Sequence, residues 1–432
     1  MRYELETLEK IMFYDTQGIM TSFTLYVYKT KDKVNKEVFE QALDNAIKCH
    51  PLFGCRLSED EKGPYLETNP DKPVVPYLDP EEEFYYGNKA NNNYLWIVGI
   101  HENEIIYTGY HGFTDGMGAT AFMRSVLYYY FSLQGIKCDP GKAVTLEKIT
   151  PEYLEKETEC SVRNNGAEDH PSLIKQSQLQ PSIFPDELLK EDPQDYEITN
   201  LAISLADIKK KCAEYDVSQF AVMTSYLAQA VASVLPGSDD VVLMNIIADM
   251  RGVLDSITTH NCVMSVPITF AEKDMMNKSD QMIATMFRTK LDIGYNRDEA
   301  LHNCFNNAQM EKQIGGNREY LSAAAAQITK QFAFNLPIAS LTYTHLTHTG
   351  FSSDIFEELD DVYISYAGYK KDGKQGIRAL NAVTTDKVIN LMIIDGTKDE
   401  KIVKALERRL EEVGVSYKTT KLDRYKGILY RR

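Results

Sequence analysis

The chain has 432 residues, of which 43% are hydrophobic and 25% charged, a composition typical of a globular protein with enough apolar material for two cores. Its 47 basic and 63 acidic residues give a formal net charge of −16, which repels phosphate backbones and argues against nucleic acid as the main partner. A chain of this length exceeds the size at which one core keeps growing, so we expect two domains.

The cysteines and the apolar runs bear on where the protein works. The seven cysteines are scattered and form no CxxC pair, a pattern typical of reduced thiols in a cytosolic protein. The first residues carry no apolar signal region, and the apolar runs Tyr94–Ile100 and Val388–Ile394 have the length of strands. We therefore predict a cytoplasmic protein whose partners include neither a membrane nor a nucleic acid.

The first half of the chain, residues 1–140, alternates predicted strands and helices. An apolar and β-rich run predicts a strand over Thr21–Tyr28. Asn35 then caps a helix with one apolar face, and this helix ends at His50, because proline at position 51 disfavours helical geometry in the residue before it. Further strands are predicted near Gly54–Leu57, Tyr94–Ile100 and Glu104–Tyr110, and a helix from about Gly116 to Leu133.

Residues 141–195 differ from the segments on either side. Prolines stand there among many charged and amide residues, and apolar periodic runs are few. We interpret this stretch as a long crossover on the protein surface, with room for short helices. The predicted divisions of the chain are therefore 1–140, 141–195 and 196–432.

The second half repeats the alternation, which predicts two α/β layers with large mixed sheets. Ser218 is predicted to cap an apolar helix, Phe220–Leu235. The near-continuous apolar run Asp240–Ala248 predicts a strand that is buried on both faces. Further predicted strands are Tyr196–Leu205, Ala339–Tyr343, Val362–Tyr366, Ile377–Val383 and Val388–Ile394. Further predicted helices are Asp207–Tyr215, Asp280–Lys290, Arg297–Gln309, Leu321–Gln331 and Asp399–Val413.

The segment from His111 to Gly116, HGFTDG, is the strongest candidate for chemistry. A predicted strand delivers His111 into a tight polar turn, and a helix follows at once. An imidazole at such a corner can face a cleft, and it titrates near pH 7, as a general base requires. The alternative interpretation is a structural histidine at a strand end, followed by an Asp-Gly turn and a helix N-cap.

The same six residues match the HxxxDG signature of the coenzyme A-dependent acyltransferase superfamily, which includes chloramphenicol acetyltransferase, alcohol acetyltransferases and peptide-synthetase condensation domains. Two further segments carry the resemblance. Residues 42–57, with His50-Pro51, resemble the family's first helix and the strand after it, and residues 247–266, with Arg251, resemble its central strand, its arginine and the following loop and strand. The motif lies about a quarter of the way along the chain, which is similar to the alcohol acetyltransferase and condensation branches.

This resemblance implies two chloramphenicol acetyltransferase-like α/β subdomains with mixed sheets and a central channel. It implies transfer of an acyl group from a thioester, an acyl-CoA or an acyl carrier, to an alcohol or amine, with His111 as the general base. Asp115 would orient the motif by pairing with Arg251. The thioester would be a substrate, so no bound cofactor is implied, and the partners would be small-molecule donors and acceptors or a separate carrier protein.

The resemblance also suggests residues around the reacting atoms. A hydroxyl on the strand that contains Thr342 and Thr344 would donate to a developing oxyanion, with Thr344 placed in the catalytic set. Thr342, Gly116 and Tyr110 form the predicted substrate-contacting set. A strand threonine is also explained by β-propensity alone, so this assignment rests on the analogy.

Several departures leave the branch of the superfamily open. Tyr110 stands where condensation domains carry a second histidine, and no DFGWG segment, LGGxS carrier-attachment motif or GxSxG elbow occurs. His345 and His348 are interpreted as a loop pair without a metal, and His260 is assigned either to the channel or to the surface. The alternatives are condensation on carrier-bound substrates and a non-catalytic relative that binds a ligand.

Overall fold

A computed structural model describes residues 1–14, 23–174, 180–192, 196–314, 319–325, 340–367, 377–422 and 428–430. Three predicted elements fall partly beyond these ranges: residues 326–331 of the helix Leu321–Gln331, residues 21–22 of the first strand and residue 339 of the strand Ala339–Tyr343 lie outside the described residues. Residues 175–179 and 193–195 of the predicted crossover also lie outside them. The other predicted strands and helices are present, with bounds that differ by a few residues at most ends.

The strands are numbered in chain order. They are β1 (Arg2–Tyr3), β2 (Phe23–Thr30), β3 (Cys55–Asp60), β4 (Gly63–Thr68), β5 (Phe84–Tyr86), β6 (Trp96–His101), β7 (Glu104–Gly109), β8 (Ile198–Ser204), β9 (Val242–Asp249), β10 (Val263–Phe270), β11 (Ser340–Leu346), β12 (Leu359–Ala367), β13 (Ile377–Thr384), β14 (Val388–Asp395), β15 (Tyr417–Leu422) and β16 (Ile428–Tyr430).

The helices are numbered in the same way. They are α1 (Thr7–Met12), α2 (Lys36–Cys49), α3 (Gly116–Leu133), α4 (Pro151–Glu157), α5 (Ser161–Asn164), α6 (Leu205–Tyr215), α7 (Gln219–Ala232), α8 (Arg251–Leu254), α9 (Glu272–Met275), α10 (Asp280–Gly294), α11 (Arg297–Ile314), α12 (Ser353–Glu357) and α13 (Lys401–Glu412). Residues 319–325 are also helical.

The smaller of the two main sheets, in the described part of the chain, has four antiparallel strands in the order β12-β2-β7-β6. Helices α2 and α3 pack together and share a hydrophobic core with this sheet. As predicted, Asn35 caps α2, where its side chain accepts a hydrogen bond from the Val38 amide at 3.2 Å. The helix ends before Pro51, and its apolar stripe, with Phe39 and Leu43, is buried.

The larger sheet has seven strands among the described residues, in the order β10-β9-β11-β13-β14-β8-β15. Strand β11 runs parallel to β9 and β13, whereas the other pairs are antiparallel, so the sheet is mixed as predicted. Helices α6, α7, α10 and α13 pack against one face and enclose a second hydrophobic core. Ser218 caps α7, as predicted, by accepting from the Ala221 amide at 3.3 Å.

The opposite face of the larger sheet turns toward the first core. Met392 and Ile394 on β14 belong to that core, while Leu391 and Ile393 belong to the second, so both faces of β14 are buried. The same expectation for Asp240–Ala248 was wrong. Strand β9 alternates buried and half-buried residues, because its second face, with Ile247, borders a cavity instead of a second packed layer.

Strand β12 shows how the two halves are joined. It follows β11 of the larger sheet in the chain, yet it pairs antiparallel with β2 at the edge of the smaller sheet. Residues after position 196 therefore contribute to both main sheets, and the divisions 1–140, 141–195 and 196–432 stay a prediction.

The crossover contains the short helices α4 and α5, but it does not lie wholly on the surface as expected. Glu157 and Ser161 are fully buried, and Val162 is nearly so. The carboxylate of Glu6, just before α1, accepts hydrogen bonds from the amides of Val162 and Arg163 at 2.9 and 3.1 Å. These hydrogen bonds satisfy two main-chain amides of the crossover. They also fix this part of the crossover against the residue that precedes α1.

Candidate active site

The described part of the chain contains a cavity of about 960 Å³ between the two main sheets. Tyr26 and Ile364 line it from the smaller sheet, and Ile247, Thr344 and Asn381 line it from the larger sheet. Cavities of this size are typical sites for small-molecule ligands. The predicted central channel is therefore present as a cavity between the sheets.

His111 faces this cavity directly after strand β7. Its side chain is exposed, and its Nδ1 lies 3.2 Å from the carbonyl oxygen of Thr114 within the same turn. A carbonyl oxygen only accepts, so Nδ1 carries the hydrogen and Nε2 keeps its lone pair. Nε2 has no hydrogen-bond partner among the residues the structure describes. The imidazole is thus held in the tautomer that can accept a proton at Nε2.

The Asp115 carboxylate is almost fully buried and is occupied by four donors. Oδ1 accepts from the amides of Met117 and Gly118 at 3.0 and 2.8 Å, so Asp115 caps α3. Oδ2 accepts from the Cys262 amide at 2.8 Å, and Arg251 Nη2 lies 3.0 Å from both oxygens. The structure therefore contains both the predicted cap and the predicted contact with Arg251, and the orienting role stays a prediction.

Arg251 binds both Asp115 and main-chain carbonyls of the loop that follows α8. Its Nη1 donates to Asp249 at 2.7 Å, its Nε to the carbonyl of Thr258 at 2.7 Å and its Nη2 to the carbonyl of His260 at 2.7 Å. Burial alone would lower the pKa of this guanidinium, but the charges of Asp115 and Asp249 outweigh it and raise that pKa. Arg251 is therefore a permanent cation, and one nitrogen, rather than a two-nitrogen fork, contacts Asp115.

Two glycines allow the close approach of these segments. A Cβ at Gly118 would lie 2.2 Å from Thr114 Oγ1 and 2.6 Å from the carbonyl oxygen of Thr259. A Cβ at Gly112 would lie 2.5 Å from the ring of Tyr110. Gly112 in the motif and Gly118 just after it are therefore needed for space.

The predicted substrate-contacting residues divide into two groups. Gly116, Thr342 and Thr344 line the cavity, and the side chains of Thr342 and Thr344 alternate with the buried ones of β11. Tyr110 is a correction: its ring is 2% exposed and is not among the described lining residues. Its hydroxyl donates to the carbonyl of Met12, because the turn packs against the end of α1.

His260 and His345 also differ from expectation. His260 lies neither in the channel nor on the surface, since it is fully buried against Glu9. His345 belongs to β11 instead of a loop, with Nδ1 2.9 Å from Tyr343 Oη and Nε2 2.9 Å from Thr384 Oγ1. Burial, together with the charge of His348, lowers the pKa of His345 to about 3.

Sequence reasoning missed the residues beneath the HGFTDG turn. Asn261 Nδ2 donates to the main-chain carbonyl of His111 at 2.8 Å, and Glu9 accepts from both His260 and Asn261. Asn261 stands in the segment that carried the family resemblance, so a close look at that segment could have found it. No local signal connected Glu9 to the turn, because its partners His260 and Asn261 lie about 250 positions away.

A second histidine cluster resembles a nucleophilic triad but is closed to substrate. Ser125 Oγ lies 3.0 Å from His50 Nε2, and Glu157 Oε1 lies 3.1 Å from His50 Nδ1. All three side chains are buried, so no acyl group reaches the hydroxyl.

Burial also raises the pKa of the Cys262 thiol beside Asp115, which keeps that thiol protonated.

The described residues contain neither a candidate metal site nor a helix that could span a membrane. No cluster of three or more histidine, cysteine, aspartate or glutamate residues there is arranged to hold a metal ion. No helix in the described ranges is both long enough and apolar enough to span a bilayer.

Comparison with known proteins gives structural matches alone. No protein-family model and no curated protein matches the chain. It is similar to TRI101 of F. graminearum, solved with coenzyme A and deoxynivalenol, at 12% identity and a TM-score of 0.62 over 96% of this chain and 99% of that one. It is also similar to polyketide synthase associated protein 5 of Mycobacterium tuberculosis, at 14% identity and a TM-score of 0.61 over 94% and 97% of the two chains.

A third similar structure is the epimerization domain from the third module of tyrocidine synthetase B, at 11% identity and a TM-score of 0.60 over 96% of this chain and 95% of that one. These likenesses extend over nearly the whole of each chain, and at such low identity they establish the fold. The chain therefore has the two-subdomain α/β fold of the chloramphenicol acetyltransferase type, as the resemblance carried by its HxxxDG segment predicted.

Proposed function

We propose that this chain is an acyltransferase that moves an acyl group from a thioester donor to an alcohol or amine, with His111 as the general base. The observation that carries the proposal is the His111 imidazole, which faces the cavity with Nδ1 bound to the Thr114 carbonyl. That contact leaves Nε2 able to take a proton from an acceptor. The fold shared with TRI101, whose structure holds coenzyme A, supports the choice of a thioester donor.

The proposed reaction balances without an acyl-enzyme. His111 Nε2 takes the hydrogen of the acceptor O–H or N–H as the acceptor atom attacks the thioester carbonyl carbon. The tetrahedral intermediate then expels the thiolate, which receives from His111 the proton that came from the acceptor and leaves as a thiol. Positioned general-base catalysis contributes about 10²–10⁴-fold, and holding both substrates together adds to it.

The intermediate carries a negative oxygen that needs a donor. Thr344 is half-buried on the cavity face of β11, between β9 and β13, and its hydroxyl is the proposed donor. Thr342, two residues earlier on the same face, is exposed to the cavity and is proposed to contact substrate. A preorganised donor in a water-poor site stabilises an oxyanion more strongly than bulk water does.

Asp115 is proposed to act through geometry. Its four donors occupy both carboxylate oxygens, so it has no spare capacity to serve as the base. Because Asp115 ties α3 to Arg251 and Cys262, it holds the turn between β7 and α3 in one conformation. His111, four residues before it, then keeps a constant direction into the cavity.

The test measures thiol release from acetyl-, butyryl- and palmitoyl-CoA with a panel of primary alcohols and amines. Wild type is compared with His111→Ala and with His101→Ala, which changes a histidine at the turn end of the same β6–β7 hairpin, away from the motif. We expect His111→Ala to lose at least about 10²-fold in kcat/KM, and His101→Ala to match wild type.

The result also decides between the alternatives. Turnover that survives His111→Ala unchanged would overturn the general-base role. Activity with an acylated carrier protein but with no acyl-CoA would assign the donor to carrier-bound thioesters. Absence of turnover with every donor, together with tight binding of a donor or acceptor, would favour a binding protein.

A further inference from the structure

The catalytic turn has a support that the HxxxDG motif does not contain. The side chain of Asn261, in the loop after α8, donates from Nδ2 to the main-chain carbonyl of His111 at 2.8 Å and to Glu9 Oε1 at 3.2 Å. Both partners are acceptors, so the amide nitrogen must face them. Asn261 is 4% exposed, and its orientation follows from this hydrogen-bond network.

Glu9 holds the asparagine from the other side. Its carboxylate is fully buried in α1. It accepts from His260 Nδ1 at 2.9 Å and from the main-chain amides of Asn261 and Glu6, each at 2.8 Å. The carboxylate is therefore anchored on three sides.

Asn261 acts on the central peptide of a turn in which the Phe113 amide donates to the carbonyl of Tyr110 at 2.9 Å. The carbonyl of His111 belongs to the peptide bond that joins it to Gly112, and glycine permits a wide range of backbone angles. A Cβ at Gly112 would clash with the Tyr110 ring, so the position needs glycine and cannot gain stiffness from a side chain. The bond between Phe113 and Tyr110 closes the turn but does not engage the His111 carbonyl, and the donor to that carbonyl is Asn261.

The His111 peptide plane helps to set where the imidazole points, together with the side-chain torsions. Rotation of this plane changes ψ at His111 and so turns the Cα–Cβ bond relative to Gly112 and the rest of the turn. The Thr114 contact restrains Nδ1 within the turn, and the Asn261 contact restrains the backbone beneath it. A displacement of the reacting groups by about 1 Å lowers the reaction rate on the order of 10²-fold.

We propose that Asn261, anchored by Glu9, is a positioning residue that holds the main chain of His111 and so aims its imidazole into the cavity. The inference rests on the proposed acyl transfer for its kinetic consequence, but not for its structural one. Asn261 touches the backbone of His111 and no reacting atom, so it sets the rate of the chemical step more than the affinity for substrate.

The experiment compares wild type with Asn261→Ala and Asn261→Ser, both of which remove the amide donor and add no bulk. The control is Asn200→Ala, which changes another buried asparagine whose amide donates to Asn390 at 2.9 Å in the larger sheet. Each protein is assayed for kcat and KM with the acyl-CoA and acceptor pair that wild type turns over. The eight histidines are labelled with ¹⁵N, and the His111 signal is assigned from its loss in His111→Ala.

We expect both Asn261 variants to lower kcat by about 10- to 100-fold while KM changes less than about threefold. We also expect them to shift the His111 imidazole resonances, which Asn200→Ala leaves in place. A loss of thermal stability with unchanged kcat and unchanged His111 resonances, in whichever variant folds, would overturn the proposal.

The two readouts separate this inference from the proposed function. If wild type turns over no thioester, the acyltransferase proposal fails, while the His111 resonances of the resting protein still decide whether Asn261 positions the imidazole. If wild type is active and the Asn261 variants match it in kcat and in resonance, the positioning role fails alone.

Discussion

Arg251 lies 136 positions after Asp115 in the chain, and its Nη2 is 3.0 Å from both oxygens of the Asp115 carboxylate. The pair joins the first turn of α3 to the loop after β9, and so it connects the two main sheets beside the cavity. Asp249 contacts the same guanidinium from the end of β9. One arginine therefore organises both the turn that carries His111 and the loop that supports it.

Breaking this pair should be costly from either side. Removing one partner of a buried ion pair costs about 3–5 kcal/mol of unfolding free energy, and here we expect the lower end, because Asp115 keeps its amide donors and Arg251 keeps Asp249. We expect Arg251→Ala and Asp115→Asn to be similarly severe in chemical denaturation, with the double variant little worse than either. Fully additive losses would contradict the pairing.

A surface pair supplies the control for that cycle. Lys72 and Asp44 form an ion pair in which the lysine side chain is 80% exposed. Lys72→Ala should therefore change the unfolding free energy by less than about 1 kcal/mol.

Gly118→Ala should destabilise the protein even though alanine favours helices. The added Cβ meets Thr114 Oγ1 and the carbonyl of Thr259, and backbone cannot move away as a flexible side chain can. We expect a loss of about 1–3 kcal/mol in thermal or chemical unfolding. Gly252→Ala in α8 is the matched control, since nothing lies within 4 Å of its added Cβ. Equal effects of the two changes would show that space at Gly118 is not the constraint.

Thr344→Val and Thr342→Val should separate the two proposed roles of strand β11. Valine keeps the shape and removes the hydroxyl. If Thr344 donates to the oxyanion, its replacement lowers kcat by about 10²-fold with little change in KM. Thr342→Val should instead raise KM, since a lost substrate contact weakens binding. A reversed pattern in steady-state kinetics would exchange the two assignments.

The buried imidazole of His345 should make the folding stability of the protein depend on pH. The unfolded chain protonates this histidine near pH 6.5, whereas burial keeps the folded pKa at about 3. The neutral form favours the fold, so this contribution is complete above pH 6.5 and is lost, by about 1.4 kcal/mol for each pH unit, as the pH falls toward 3.

The measurement is the unfolding midpoint at pH 8, 6 and 5 for wild type and His345→Gln. We expect the variant to depend less steeply on pH than wild type over this range. His302→Gln, a change at a partly exposed histidine, should keep the wild-type slope. Parallel curves for wild type and His345→Gln would show that His345 is not a source of the acid sensitivity.

The local parts of the site followed from local sequence. The strand that leads to His111, the helix after it and the N-cap at Asp115 depend on residues within a few positions of one another, and the structure has them. Asn35 and Ser218 cap their helices for the same reason. Arg251 was paired with Asp115 only through the family resemblance, since no periodic pattern connects residues so far apart.

Other residues were misplaced because burial is a property of the assembled molecule. Tyr110 and His260 are fully packed against α1, an element whose sequence gives no sign of where it lies. The apolar run of β9 has the composition of a strand buried on both faces, but one of its faces borders the cavity.

The amino-acid sequence by itself determined the order of strands and helices and the strand, turn and helix N-cap around the HGFTDG segment. These depend on side-chain alternation, capping and turn chemistry, which act over a few residues. Only the tertiary structure decided that β12 joins the smaller sheet. It also decided that Glu9 and Asn261 lie beneath His111 and that Tyr110 is turned away from the cavity. Those contacts join segments that are distant in the chain, so they form and stabilise the protein only when the two main sheets pack together.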